Sequence, residues 1–143
     1  MKKILLLLLL VCVLFITLQI WVHMRPSETM RLGGKDYTYE IFDTPEKKQL
    51  GLSNRKTIDD NHAVLFVFEE SDYHGFWMKD MQFPIDIIWF DENFITVDWV
   101  DSATPESYPT TFYPKDRAKY VVETKAGERI KQNIDIGTKL YYK

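Results

Sequence analysis

Cysteine is almost missing from this chain: its single thiol, Cys12, lies in an apolar N-terminal run. The rest of the sequence therefore has no disulfide, no cysteine nucleophile and no cysteine-based zinc site. Histidine is scarce as well. His23 lies beside the apolar run, while His62 and His74 stand far apart in sequence, so no metal centre is expected. Blocks of like charge are absent too. Setting aside Lys2 and Lys3 leaves 16 basic and 21 acidic residues, interspersed. That balance excludes the basic face that nucleic acid requires, and adhesion of the domain itself to anionic lipid. There is no G-x-S-x-G elbow, no glycine-rich phosphate loop and no H-E-x-x-H, so no catalytic residue or cofactor is assigned.

What is present is an apolar leader and an aromatic-rich remainder. Ile4 to Val22 is interrupted only by Thr17 and Gln19. As a helix it spans roughly 28 Å, close to the thickness of a bilayer core. The exit, Gln19 to Pro26, has no small-residue cleavage site, Trp21 suits the membrane interface and Pro26 discourages further helix. The sequence thus predicts an uncleaved signal anchor over residues 1–24 and one globular domain over 25–143. The bilayer would be contacted through residues 4–22, with the domain outside the cytoplasm because the short basic head favours a cytoplasmic N-terminus. Leu9-Leu10-Val11-Cys12 has the outline of a lipobox, but Val11 lacks the small side chain expected there; Cys12 reads as an ordinary apolar residue of the span.

In the domain, Thr29–Leu32 and Tyr37–Phe42 flank Gly33-Gly34-Lys35-Asp36 and predict a hairpin. Thr44-Pro45-Glu46 predicts a helix start, with Thr44 as cap and Gly51 as its left-handed end. Ala63–Phe68 reads as a strand buried on both faces, Gly75–Lys79 as another strand, and Ile85–Phe90 as a third apolar run. Asp91-Glu92-Asn93 turns into Phe94–Val100, a half-buried hairpin partner. Pro105, Pro109 and Pro114 exclude a helix or central strand over 102–117, leaving a lid or a surface crossover. Lys119–Thr124 and Lys139–Tyr142 read as strands and Ala126–Gln132 as a short helix. The expected fold is mainly β, a small barrel or sandwich of about seven to eight strands with one or two short helices.

The candidate site centres on Phe76-Trp77-Met78-Lys79 and Pro84-Ile85-Asp86-Ile87. A carboxylate within an apolar run needs a cation or several donors. Lys79 lies a short connection away, and pairing of the two strands would bring it to Asp86; Arg55 and His74 are further partners. Two readings stand. Asp86 either fixes the loop by an ion pair or backbone bonds, or belongs to a polar cluster at a pocket mouth walled by Trp77 and Met78. That pocket would hold a polar or anionic ligand through Lys79 and Arg55.

These stretches resemble a known family. Asp43-Thr44-Pro45, Gly51-Leu52-Ser53-Asn54-Arg55, Leu65-Phe66-Val67-Phe68, Phe76-Trp77-Met78-Lys79, Pro84-Ile85-Asp86-Ile87 and Lys119-Tyr120-Val121-Val122-Glu123 with Ala126-Gly127 follow in order. The set is similar to the prokaryotic family known as domain of unknown function 192. The resemblance implies a compact, mostly β domain, commonly exported or anchored, with no established activity. Arg55, Trp77, Met78, Lys79, Pro84 and Asp86 fall in its motifs. Ser53 stands where Met is common, Ala63-Val64 where Gly-Met is common, and Asp80-Met81 where Asn-Thr is common.

The leading functional expectation is a membrane-anchored extracytoplasmic binding module. Its pocket would lie around Trp77, Lys79 and Asp86, with Arg55, His74 and Met78 contributing, for a small polar ligand or an envelope protein. The alternatives are an envelope hydrolase using Asp86 with Lys79 or His74 as acid and base, and a non-catalytic scaffold.

Overall fold

In the computed structural model, residues 11–17 and 28–142 are described. Residues 11–17 are helical, and most of the expected anchor lies outside the described residues. Among the latter, no helix is long and apolar enough to cross a membrane.

The domain opens with β1 (Thr29–Leu32) and β2 (Lys35–Phe42), joined at Gly33-Gly34. Gly33 takes φ +59, and a Cβ there would lie 2.5 Å from the Gln132 carbonyl oxygen, so turn and packing both demand glycine. Helix α1 (Pro45–Leu50) follows as its cap residues dictate. The Thr44 side chain accepts a bond from the Lys47 amide, Pro45 occupies the first turn and Gly51 ends the helix at φ 51.

Next come β3 (His62–Asp72), β4 (Phe76–Trp77), β5 (Ile85–Phe90) and β6 (Thr96–Ala103). A 3-10 turn (Pro105–Ser107) and β7 (Thr111–Phe112) occupy the proline-rich stretch, ahead of β8 (Ala118–Lys125), α2 (Glu128–Lys131) and β9 (Leu140–Tyr142). Seven strands make one sheet in the order β6-β5-β8-β3-β2-β1-β9, and β4 pairs with β7 separately. The sheet curls into a half-barrel whose outer strands meet through a bridge between Ile95 and Lys139. The mainly β architecture with few short helices is as the sequence predicts.

One pairing differs from expectation. Strand β4 is shorter than Gly75–Lys79 and pairs with β7 instead of β5, because β5 already has β6 and β8 on its two edges. The proline-rich stretch is therefore a crossover that contributes a strand. Strand β3 pairs parallel to β2, which requires a long connection, and residues 43–61 supply it with α1.

Period-two alternation gives the sheet two packed faces. One carries Val64, Phe66, Ile85, Ile87, Trp89 and Val121, covered by Leu52, Ile58, Phe76 and Met78. The other carries Ala63, Leu65, Ile88, Phe90 and Val122 with Met30, Leu32, Tyr37, Ile134 and Leu140. All six residues of β5 are buried, because both of its faces are covered.

Candidate functional site

The alternation that builds the two cores also separates Lys79 from Asp86. Phe76 and Met78 pack on the Ile85, Ile87 and Trp89 face, whereas Asp86 belongs to the opposite face of the same strand. No ion pair forms between Lys79 and Asp86; Lys79 is exposed and Asp86 is fully buried. One Asp86 oxygen accepts the amides of Ser102 (2.8 Å) and Gly127 (3.0 Å), and the other accepts that of Arg129 (2.8 Å). These three N–H groups are its donors, and two of them belong to the free end of α2. Asp86 therefore fastens α2 and the end of β6 to β5. The expected pairing with Lys79, and the acid–base couple built on it, do not form.

The other motif residues divide in the same way. Met78 is 1% exposed and packs in the core cluster with Phe76, Ile85 and Trp89. Arg55 grips both oxygens of Glu40 (2.7 and 3.0 Å), and His62 Nε2 lies 3.0 Å from Glu40 Oε1. The Arg55 bond is the first cause holding the Glu40 carboxyl down at about 2. Arg55 is thus already committed to a carboxylate. His74 stacks on Phe68 with ring centres 3.6 Å apart, its Nε2 lies 3.0 Å from the Glu70 carbonyl oxygen, and its own carbonyl accepts the Trp89 indole N–H.

A recess does exist beside the motif, with a different floor. The turn after α1 is stitched to the turn after β4: Ser53 Oγ donates to the Lys79 carbonyl (2.8 Å) and the Asn54 amide to that of Asp80 (2.8 Å). Between α1, β3 and β4 this leaves a cavity of about 260 Å³. Its walls are Lys48 to Ser53 on one side and Phe66, Phe68, Gly75, Phe76, Trp77 and Met81 on the other, with Glu123 of β8 also lining it. Gln49, Leu50, Ser53 and Trp77 also line a shallow groove that includes Lys79 and Asp80. Trp77, half exposed, stands between the two.

Glu123 is the residue that sequence reasoning passed over. It lies in β8, an interior strand between β5 and β3, opposite Val64 of β3 and Ile87 of β5. It is 5% exposed, and its Oε2 has no hydrogen-bond partner among the described residues. Burial pushes its carboxyl up to about 8, and the Arg55 charge offsets only part of that rise. Glu40 lies in the same cross-strand row, opposite Val64, and by holding Arg55 it leaves Glu123 without a salt-bridge partner. A signal was available in the sequence: a carboxylate in the run Tyr120-Val121-Val122-Glu123 poses the same question as Asp86.

No cluster of His, Cys, Asp and Glu among the described residues has the arrangement of a metal site. The chemistry on offer is that of an aromatic-walled cavity with one unsatisfied acid at its base, a combination suited to binding an apolar ligand with one polar group.

Known structures repeat the fold. A candidate transcription regulator from Sinorhizobium meliloti 1021 is 25% identical, with a TM-score of 0.76 over 80% of this chain and 92% of that one. A protein of unknown function from Novosphingobium aromaticivorans DSM 12444 is 22% identical, with a TM-score of 0.74 over 78% of this chain and 82% of that one. No curated protein matches the chain. The sequence model of the family described as uncharacterized ACR, domain of unknown function 192, matches residues 28–142, and the chain belongs to that family.

Proposed function

We propose that this protein is a membrane-tethered, extracytoplasmic binding module whose ligand enters the cavity between α1, β3 and β4. The observation that carries the reading is Glu123: a buried, unpaired carboxyl group costs stability, and here it lines an aromatic-walled recess open at Trp77. The pocket keeps Trp77 from the sequence-based site, places Lys79 on the adjoining groove and replaces Asp86 by Glu123. The tether rests on Ile4 to Val22, whose length and apolar character suit a bilayer. The Sinorhizobium protein is described as a candidate transcription regulator, and a role here that involved binding nucleic acid would need a basic face. The excess of acidic over basic residues beyond the anchor speaks against one here.

The test is a thermal-shift screen of the intact chain in nanodiscs against small metabolites and envelope extracts. A ligand at one hundred times its Kd adds about 2.7 kcal/mol to stability, a shift of several degrees. The shift is expected to vanish in Gln49→Trp, which fills the cavity mouth from an exposed position of α1. Shifts that persist unchanged in Gln49→Trp would place binding elsewhere. For the tether, recovery of the intact chain in the soluble fraction of lysed cells would remove the membrane from the proposal.

A further inference from the structure

The cavity has chemistry enough to specify more than a shape. Its buried acid, Glu123, has no hydrogen-bond partner for Oε2 among the described residues. Phe66, Phe68, Phe76 and Trp77 form an aromatic part of the wall, with polar and aliphatic residues of α1 and the turn after it making up much of the rest. Aromatic faces attract cations, and a desolvated carboxylate attracts them more strongly still. The protein's own side chains already show this preference at the wall. The Lys48 ammonium lies over the Phe68 ring, 4.7 Å from its centre. Lys48 and Phe68 both line the cavity, and Lys48 belongs to α1 and not to the cavity floor.

We propose that the cavity binds a ligand carrying a protonated amine on an apolar arm, with the ammonium set against the Glu123 carboxyl and the arm along Phe66, Phe76 and Trp77. The inference rests on the binding reading above and names the chemical class of the ligand.

Among the described residues, Arg55 is the charge that acts on Glu123, and it offsets only part of the effect of burial. Arg55 approaches from the segment after α1 and is held by Glu40 at 2.7 and 3.0 Å, so it does not compete for Glu123. His74 is stacked on Phe68 and lies 3.0 Å from the Glu70 carbonyl oxygen through Nε2. Lys48 is the one lining cation, and it is displaceable, because its contact is with a ring face near solvent and not with a carboxylate. An anionic ligand would meet Glu123 only as the protonated acid, a single hydrogen-bond donor, and would face the negative π-faces of the aromatic wall. A neutral hydroxyl ligand would satisfy the acid without using the cation preference of the walls.

Binding is also coupled to a proton. Burial keeps Glu123 protonated up to about pH 8. An arriving ammonium stabilises the carboxylate, so the carboxyl releases its proton to solvent while the amine, with a pKa of about 10, keeps its own. Affinity therefore rises about tenfold per pH unit between pH 6 and 8, then levels off.

The test uses isothermal titration of the full chain in nanodiscs with three compounds of similar shape: phenethylammonium, 2-phenylethanol and 3-phenylpropionate. The amine is expected to bind at least tenfold more tightly than either of the others, with affinity rising from pH 6 to 8. At pH 7 close to one proton is released per amine bound, read from the dependence of the heat on buffer ionisation enthalpy. Glu123→Gln, which keeps the side-chain volume, is expected to weaken the amine at least tenfold and leave the alcohol unchanged. Should the alcohol or the anion equal the amine, or should amine affinity be flat with pH, the ammonium assignment fails while the cavity remains a binding site. Failure of all three compounds to bind also overturns it, and the metabolite screen in nanodiscs then decides the binding reading separately. The comparison of compounds on the unaltered chain does not depend on how well the variant folds.

Discussion

Replacing Glu123 by Gln should stabilise the protein, and by an amount that grows with pH. In the unfolded chain this carboxyl ionises near its ordinary value of 4.5; in the folded protein burial holds it neutral up to about 8. A raised folded value means that the native state binds the extra proton. Its stability contribution is therefore complete below pH 4.5 and is lost progressively as pH rises towards 8. Each pH unit in that window costs about 1.4 kcal/mol, so the loss at pH 7 is on the order of 3 kcal/mol and at pH 8 on the order of 4 to 5 kcal/mol. Glutamine has no such linkage. For a domain of this size, roughly 4 °C per kcal/mol converts the pH 7 difference into a gain in Tm of roughly 10 °C. The amide carries its own desolvation cost, but that cost does not change with pH, so the slope is the quantity to read. Urea unfolding followed by tryptophan fluorescence at several pH values between 4.5 and 8 measures it for both proteins. Parallel stability curves would show that Glu123 ionises normally in the folded state, and the account of an unpaired buried acid would be refuted.

Two further outcomes follow from the same geometry. Asp86→Asn keeps one acceptor oxygen but turns the other into a donor that faces the Arg129 amide. It loses a charge-assisted bond and strands a buried N–H, costing about 2 to 5 kcal/mol by urea unfolding, with ligand binding in the cavity unaffected because Asp86 lies on the other face of β5; a loss below about 0.5 kcal/mol would contradict the fastening role. Gly33→Ala places a methyl 2.5 Å from the Gln132 carbonyl oxygen at φ +59, and should cost about 1 to 3 kcal/mol in the same assay; an unchanged midpoint would show that the β1–β2 turn can move.

Local order is what the amino-acid sequence determined by itself. Glycines placed the first hairpin turn, Thr44 and Pro45 started α1, and the apolar run Ile85–Phe90 announced a strand covered on both sides. Each depends on neighbours a few residues away, where propensity and alternation act directly. The family motifs likewise fall beside the cavity, since Trp77 lines it and Ser53 and Lys79 stitch its rim. Strand partners and strand faces were decided by tertiary structure alone. Nothing in the run around Asp86 says that β5 would take β6 and β8 as neighbours and leave β4 to β7, yet that choice sends Asp86 away from Lys79. Nor does the run around Glu123 say that β8 would lie in the interior of the sheet, below a cavity roofed by a helix some 75 residues earlier. Burial of a charge depends on which distant segments exclude water from it, and the engagement of Arg55 by Glu40 depends on the parallel pairing of β2 with β3. Those are properties of the assembled sheet, where contacts between remote residues set the local dielectric and the partners that each acid can reach.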